Sequence, residues 1–356
     1  MSQLSERHIA VLSDVIDGQP DPNFRSVLID QLWTAIASES PIVAKAVWKV
    51  LSEPDILAEI RQPDPSPTWI RLENIVHRYT KGKLMSENEQ VNIPPVRWQA
   101  DIGILTPLPE ESSALGEWLE ESKTYEKWPD RSGRYHYCAK VQMENQSLRI
   151  ANIVPLRPGQ LSMVRAFESM QEYHAPKLTV LMGIGGDMQD RQLGDAIVAT
   201  DIAYYDPNAS TSTGIEREMQ PFRIDPIMQG ILNDFFRANG DGNKVVIRTI
   251  GKEIYYLTMG PIGSGSAVVK DSNSEIATSL KIQNRKMSLV ETEAAALASA
   301  FDEDREPGKY MTVIRALSDH LDDKNDEHHR LACENAVYAF KRLIPHIWRE
   351  LALKEP

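Results

Sequence analysis

The chain has 356 residues, 42% of them hydrophobic and 25% charged, which supplies material for a large core and excludes the disordered and fibrous classes. A formal net charge of -12, with no basic tract, excludes a sequence-independent nucleic-acid binder, which needs clustered Lys and Arg to displace counterions from phosphates. No window reaches the ~18 consecutive apolar residues of a membrane span, the opening MSQLSERHIAVLSDVIDG lacks a signal-peptide pattern, and Cys138 and Cys333 fit neither a disulfide framework nor a metal quartet, so a cytoplasmic protein with ordinary thiols is expected.

Residues 1–80 carry helical periodicity. Ile9, Leu12, Val15 and Ile16 share one face, as do Phe24, Val27, Leu28, Leu32 and Ile36, and Ser40-Pro41 opens a third helix with Val43, Val47, Val50 and Leu51. Pro54 and the PDPSP run at 63–67 divide two further short helices, so a small all-α domain is predicted, with Trp33, Trp48 and Trp69 as core residues. Residues 81–97 lose this periodicity and end in Pro94-Pro95, the pattern of a linker.

Residues 98–356 alternate short apolar or β-branched runs with helical patterns. DIGILTPL, LRIANIVPL, LTVLMGIGG, DAIVATDIAYY, VVIRTI, YYLTMG, MSLVE and YMTVIRAL read as strands, LSMVRAFESMQEY and the closing HRLACENAVYAFKRLIPHIW as helices. The fold class predicted is α/β, a mostly buried mixed sheet flanked by helices.

Five segments put polar or glycine residues at predicted strand ends, where open α/β sheets bind ligands. Glu110 and Glu111 follow the first strand at a helix start, where acidic residues also suit the helix dipole. Gly183, Ile184, Gly185 and Gly186 follow the third strand, as a tight turn or as a place where a ligand meets backbone. GPIGSGSAVVKD, 260–271, is a strand end followed by a loop rich in small residues. MSLVETEAAALASA delivers Glu291 and Glu293 to an alanine-rich helix, either as acidic caps or as site residues. MTVIRALSD stops at Ser318-Asp319, where an Asp commonly caps the next helix.

In their order and spacing, strand-PxEE, GIGG…LGD, GPIxSGxxVVKD, ExEAAxLA and RALSD resemble the purine nucleoside phosphorylase and methylthioadenosine/S-adenosylhomocysteine nucleosidase superfamily over roughly residues 99–345. The resemblance implies that a phosphorylase/hydrolase-like domain cleaves a purine N-glycosidic bond without metal or cofactor. Matched position by position, it makes Glu111 the group that deprotonates water and Glu293 the acceptor for the ribose hydroxyls. Asp319 becomes the acid that protonates the purine at N7, with Ser318 as its hydrogen-bonded neighbour. Ser264, Gly265, Val268 and Val269 become a wall of the purine pocket, and Gly183, Ile184 and Gly185 line the same site. One carboxyl must donate and another accept, because the sugar becomes cationic while the base is a poor leaving group as an anion.

The chain departs from the family pattern in placing Thr292 where a methionine often lies under the ribose and Val268 where an aromatic often covers the base. Asp187 replaces a glycine, and an acid there disfavours free phosphate, which favours hydrolysis over phosphorolysis. Arg217, Arg223 and Lys252 are candidate contacts for a 5′ phosphate such as that of AMP or ATP, or else solvated surface cations. The run HLDDKNDEHHR, with His320, Asp322, Asp323, His328 and His329, is read as a polar loop rather than a metal site. GPIGSGSAVVKD looks like the subset of nucleosidase domains joined to other modules in bacterial and fungal proteins. By that resemblance a homo-oligomer is expected, with recruitment of a protein partner through the helical region and a role in defence against phage.

Overall fold

The computed structural model describes residues 98–353 except 145, 212, 213, 242, 305, 324 and 325. The predicted helical region and linker lie outside the described residues. The described chain opens with β1 (Ile102–Leu105), α1 (Pro109–Leu119), β2 (Glu126–Pro129), β3 (Tyr135–Met143), β4 (Gln146–Ile153), α2 (Gln160–His174) and β5 (Leu178–Asp187). It continues through β6 (Ala196–Tyr204), β7 (Asn208–Thr211), β8 (Gly214–Arg217), β9 (Gln220–Arg223), α3 (Pro226–Asn239), β10 (Lys244–Ile250) and β11 (Glu253–Ser264). It closes with α4 (Glu275–Gln283), β12 (Leu289–Glu291), α5 (Ala294–Glu303), β13 (Tyr310–His320) and α6 (His329–Ala352).

The main sheet runs β10-β11-β6-β13-β5-β1-β4-β3-β2, with β9 on β6 and β12 bridging β11 and β5. Its centre, β4-β1-β5-β13, is parallel, and β13 meets β6 antiparallel, so the mixed sheet predicted from the alternating texture is the one observed. Central strands are mostly apolar because both faces are covered. Leu115 and Leu119 of α1, Phe235 of α3 and Phe340 of α6 pack with Ile104, Val180 and Ile314 in one core cluster. Met163 and Phe167 of α2 and Leu297 and Phe301 of α5 pack with Leu105, Leu181 and Val313 in another. Cys138 and Cys333 are free, buried thiols. Among the described residues no helix is long and apolar enough to cross a membrane.

Three strands run further than their sequences suggest, and all three do so at the site. The GIGG glycines belong to β5, which continues to Asp187 because β12 and β13 both pair with its end. The first residues of GPIGSGSAVVKD, through Ser264, extend β11 rather than opening a loop. Asp319 is not a helix cap, since β13 runs through it to His320 and the register shifts between Leu317 and Asp319. A shift of this kind re-aims side chains at the end of a strand.

Candidate active site

Arg315 anchors the site from the middle of β13, between Ile314 and Ala316, and is 1% exposed. A guanidinium without water must be paired, or burial costs several kcal/mol. Three carboxylates surround it. Glu293 Oε2 lies 3.2 Å from Nη2, Glu291 Oε2 hydrogen-bonds the same nitrogen, and Glu111 Oε1 is 3.6 Å from Nη1. Burial works against the Arg315 charge, but Glu291, Glu293 and Glu111 outweigh it and hold its pKa above the ordinary value.

Glu111 sits in the first turn of α1, 2% exposed. Its Oε2 accepts from the Leu108 amide at 2.7 Å, bracing the helix start, and its Oε1 accepts from the Ile184 amide at 2.9 Å. Burial pushes its pKa up to about 8, against the pull of Arg315 and of the two amides. The cluster therefore holds a proton on Glu111 in the neutral range. Gly183 makes the arrangement possible, because a Cβ there would lie 2.1 Å from Glu111 Oε1 and 2.3 Å from Arg315 Nη1.

Glu291 serves both as a helix cap and as a member of the cluster. Its carboxylate accepts from the Glu293 and Ala294 amides at the start of α5 while holding Arg315. Glu293 Oε1 accepts from the Gly159 amide at 3.1 Å and from the Thr292 hydroxyl, and burial raises its pKa against the attraction of Arg315. Asp319 lies four residues beyond Arg315 on β13 and is buried, its Oδ2 accepting from Ser318 Oγ at 2.7 Å. Ser318 Oγ also lies 3.3 Å from the Gly185 carbonyl, which ties the Asp319 end to β5.

The small residues of GPIGSGSAVVKD make room first for the protein's own side chains. A Cβ on Gly260 would strike Ser288 Oγ, and one on Gly265 would lie 2.3 Å from the Tyr205 ring. Ser264 Oγ accepts from the Ala295 amide at 2.8 Å, and the Tyr205 hydroxyl donates to the Ala267 carbonyl at 2.7 Å. Val269 is buried, whereas Val268 is 54% exposed, so of the two only Val268 presents its side chain outward.

Other residues singled out in the sequence separate from this cluster. Asp187 is turned to Arg191, whose Nε and Nη2 reach Oδ1 at 3.0 and 2.7 Å. Its charge is already matched, so Asp187 is not the group that would turn free phosphate away. Lys252 occupies the β10–β11 turn, at the opposite end of β11 from Ser264, on the order of 30 Å away. That separation removes it from the site within one chain. Arg223 is exposed and pairs through the backbone with Asp201, three residues before Tyr204. Arg217 is nearest, donating to the Tyr205 carbonyl at 3.2 Å, with Glu275 Oε1 3.3 Å from its Nε. The three cations do not converge.

Sequence reading missed Arg315, Gly159 and Tyr205, and it offered helix capping by Glu291 as an alternative to a site role, whereas the residue does both. The available signal was Arg315 itself, a charge inside the mostly apolar run MTVIRAL. Among the described residues, one group of metal-ligand type falls within reach of a shared ion, Asp234, His346 and Glu350, away from this cluster on α3 and α6. Arg237 holds Asp234 at 2.6 Å and Arg349 Nη2 lies 2.8 Å from His346 Nδ1, so cations already serve that group. The His320–Arg330 run forms no such group among the described residues.

Comparison with solved structures finds the same fold in several enzymes. The 5′-methylthioadenosine/S-adenosylhomocysteine nucleosidase from Neisseria meningitidis in complex with methylthio-immucillin-A is 18% identical with a TM-score of 0.53, over 68% of this chain and 97% of that one. Futalosine hydrolase of Helicobacter pylori is 18% identical with a TM-score of 0.52, again over 68% and 97%. A nucleosidase of the first kind from Colwellia psychrerythraea, in complex with adenine, is 17% identical with a TM-score of 0.53, over 70% and 96%. At these identities the likeness is one of fold. Comparison with curated proteins found no match. Residues 101–347, well over half of the chain, match the family model described as the phosphorylase superfamily, and the chain belongs to that superfamily.

Proposed function

We propose that the domain hydrolyses the N-glycosidic bond of a purine nucleoside or nucleotide, with adenine as the released base. The observation that carries this reading is the state of Glu111. Its carboxylate occupies the Leu108 and Ile184 amides and faces Arg315. Those donors are taken up by the carboxylate and are not free for an inorganic phosphate, which suits Glu111 to the activation of water instead. Asp187, already matched by Arg191, has no part in that preference.

In this reading the base is the ionised form of Glu111, the minor form at neutral pH and the major one above about pH 8: water attacks the anomeric carbon and gives its proton to that carboxylate. The carbon–nitrogen bond breaks, its electron pair stays with the base, and the Asp319 proton moves to N7. Arg315 holds Glu111 and Glu293 in place, and the negative cluster favours the cationic sugar of the transition state. Glu293, backed by Thr292, accepts from the ribose hydroxyls, while Val268 and the main chain at 264–269 flank the base. AMP and ATP stay in the substrate class on resemblance alone, since Arg217, Arg223 and Lys252 lend a 5′ phosphate no common site. By the same resemblance the protein assembles as a homo-oligomer, recruits a partner through residues 1–80 and acts in phage defence.

The test is incubation with adenosine, methylthioadenosine, AMP and ATP, with and without phosphate, followed by chromatography for free adenine. Adenine release that needs no phosphate is expected, and release from none of the four under any condition would overturn the reading.

A further inference from the structure

Two loops that flank the site are joined through one carboxylate. Asp206, just past the end of β6, accepts from the Ser266 amide at 2.9 and 2.7 Å, from the Ser266 hydroxyl and from Gln160 Nε2 at 3.0 Å. Burial and the nearby Asp206 carboxylate raise the pKa of the Tyr204 hydroxyl. Ser266 belongs to the segment 264–269, whereas Gln160 opens α2 next to Gly159, whose amide holds Glu293. Asp206 Oδ1 also lies where a Cβ on Gly265 would come within 2.6 Å. The carboxylate thus joins the segment read as the purine wall to the turn that carries a donor for the proposed ribose acceptor.

We infer that Asp206 is a positioning residue for base binding. It latches segment 264–269 against the start of α2, so that the purine wall and Glu293 keep one relative placement. This rests on the proposed nucleosidase reading for what the segment binds, though not for the latch itself. The Ser266 amide can only donate, so it needs an acceptor opposite it, and an ionised carboxylate offers one on both oxygens. Asparagine has nearly the same shape but no charge and one acceptor oxygen in place of two, so Asp206→Asn should weaken the charge-assisted contacts on Oδ2 and loosen the latch without leaving a cavity. Gly265→Ala should open it from the other side, because the added Cβ would crowd the Tyr205 ring at 2.3 Å and Asp206 Oδ1 at 2.6 Å together.

The experiment compares wild type, Asp206→Asn and Gly265→Ala in the full chain by three readouts: deuterium exchange of the 264–270 amides, adenine affinity by calorimetry, and KM against kcat for the nucleoside that is turned over. The expected result for both variants is roughly tenfold faster exchange confined to 264–270 and the 155–161 turn, roughly tenfold weaker adenine binding, and a KM that rises while kcat falls less than about threefold. The pH dependence of kcat should not move, since Glu111 is untouched. Unchanged exchange in both variants would overturn the latch. Faster exchange with unchanged adenine affinity would overturn its positioning role. If wild type turns over nothing yet adenine affinity falls in the variants, the nucleosidase reading fails and the latch stands. If adenine does not bind wild type, both fail.

Discussion

Replacing Glu111 by Gln should make the stability of the protein less dependent on pH while abolishing activity. The carboxyl has an ordinary pKa of 4.5, and burial in the folded chain raises it to about 8. Between those values the folded state keeps a proton that the unfolded state releases, so wild-type stability falls by ~1.4 kcal/mol per pH unit. The contribution is intact below pH 4.5 and lost by about pH 8, a total of about 5 kcal/mol for a fully buried group. Glutamine does not titrate. Its other effect, an amide nitrogen in place of one acceptor of the Leu108 and Ile184 amides, costs about 1–3 kcal/mol at every pH. Urea unfolding of both proteins at pH 4.5, 6, 7, 8 and 9 isolates most of the difference, because titrating groups outside the Arg315 cluster cancel. The gap between variant and wild type should move in the variant's favour by up to about 5 kcal/mol from pH 4.5 to 8 and then level off. Parallel curves across that range would refute the assignment of a buried, proton-holding Glu111.

Arg315→Met should destabilise the fold by about 3–5 kcal/mol at pH 8, because it leaves Glu111, Glu291 and Glu293 buried without a counter-charge. The loss should shrink towards pH 5, as Glu111 and Glu293 take up protons, and equal loss at both values would show that charge pairing is not its cause. Asp319→Asn should lower kcat by about 10²–10⁴-fold, the usual weight of a general acid, and full activity would refute its role. Lys252→Ala should leave KM for AMP or ATP within about twofold in steady-state assays, since the residue lies at the far end of β11. A tenfold rise would return it to the site.

Much of the fold was legible because the central strands are mostly apolar on both faces, which marks a covered sheet, and because α2 and α6 show strong helical periodicity. The site acids were legible as carboxyls at strand ends. Less legible was how far those strands run. Glycine reads as punctuation in a sequence, yet Gly183, Gly185 and Gly186 lie inside β5, and Gly183 is small so that Glu111 and Arg315 can pass it. The pairing of β12 with both β5 and β11 is a tertiary event without a local signature. Asp187 misled because composition shows a charge but not its partner, Arg191. The spread of Arg217, Arg223 and Lys252 is likewise set by the hairpins that carry them rather than by any spacing in the sequence.

The reaction itself is tested most directly by the fate of the sugar. With saturating inorganic phosphate present and an adenine nucleoside or nucleotide that yields free base, mass spectrometry of the sugar product separates water from phosphate as the nucleophile. A Glu111 that holds the Leu108 and Ile184 amides predicts a sugar with a free anomeric hydroxyl, formed at the same rate with and without phosphate. Accumulation of a sugar 1-phosphate, with no turnover in its absence, would contradict the account.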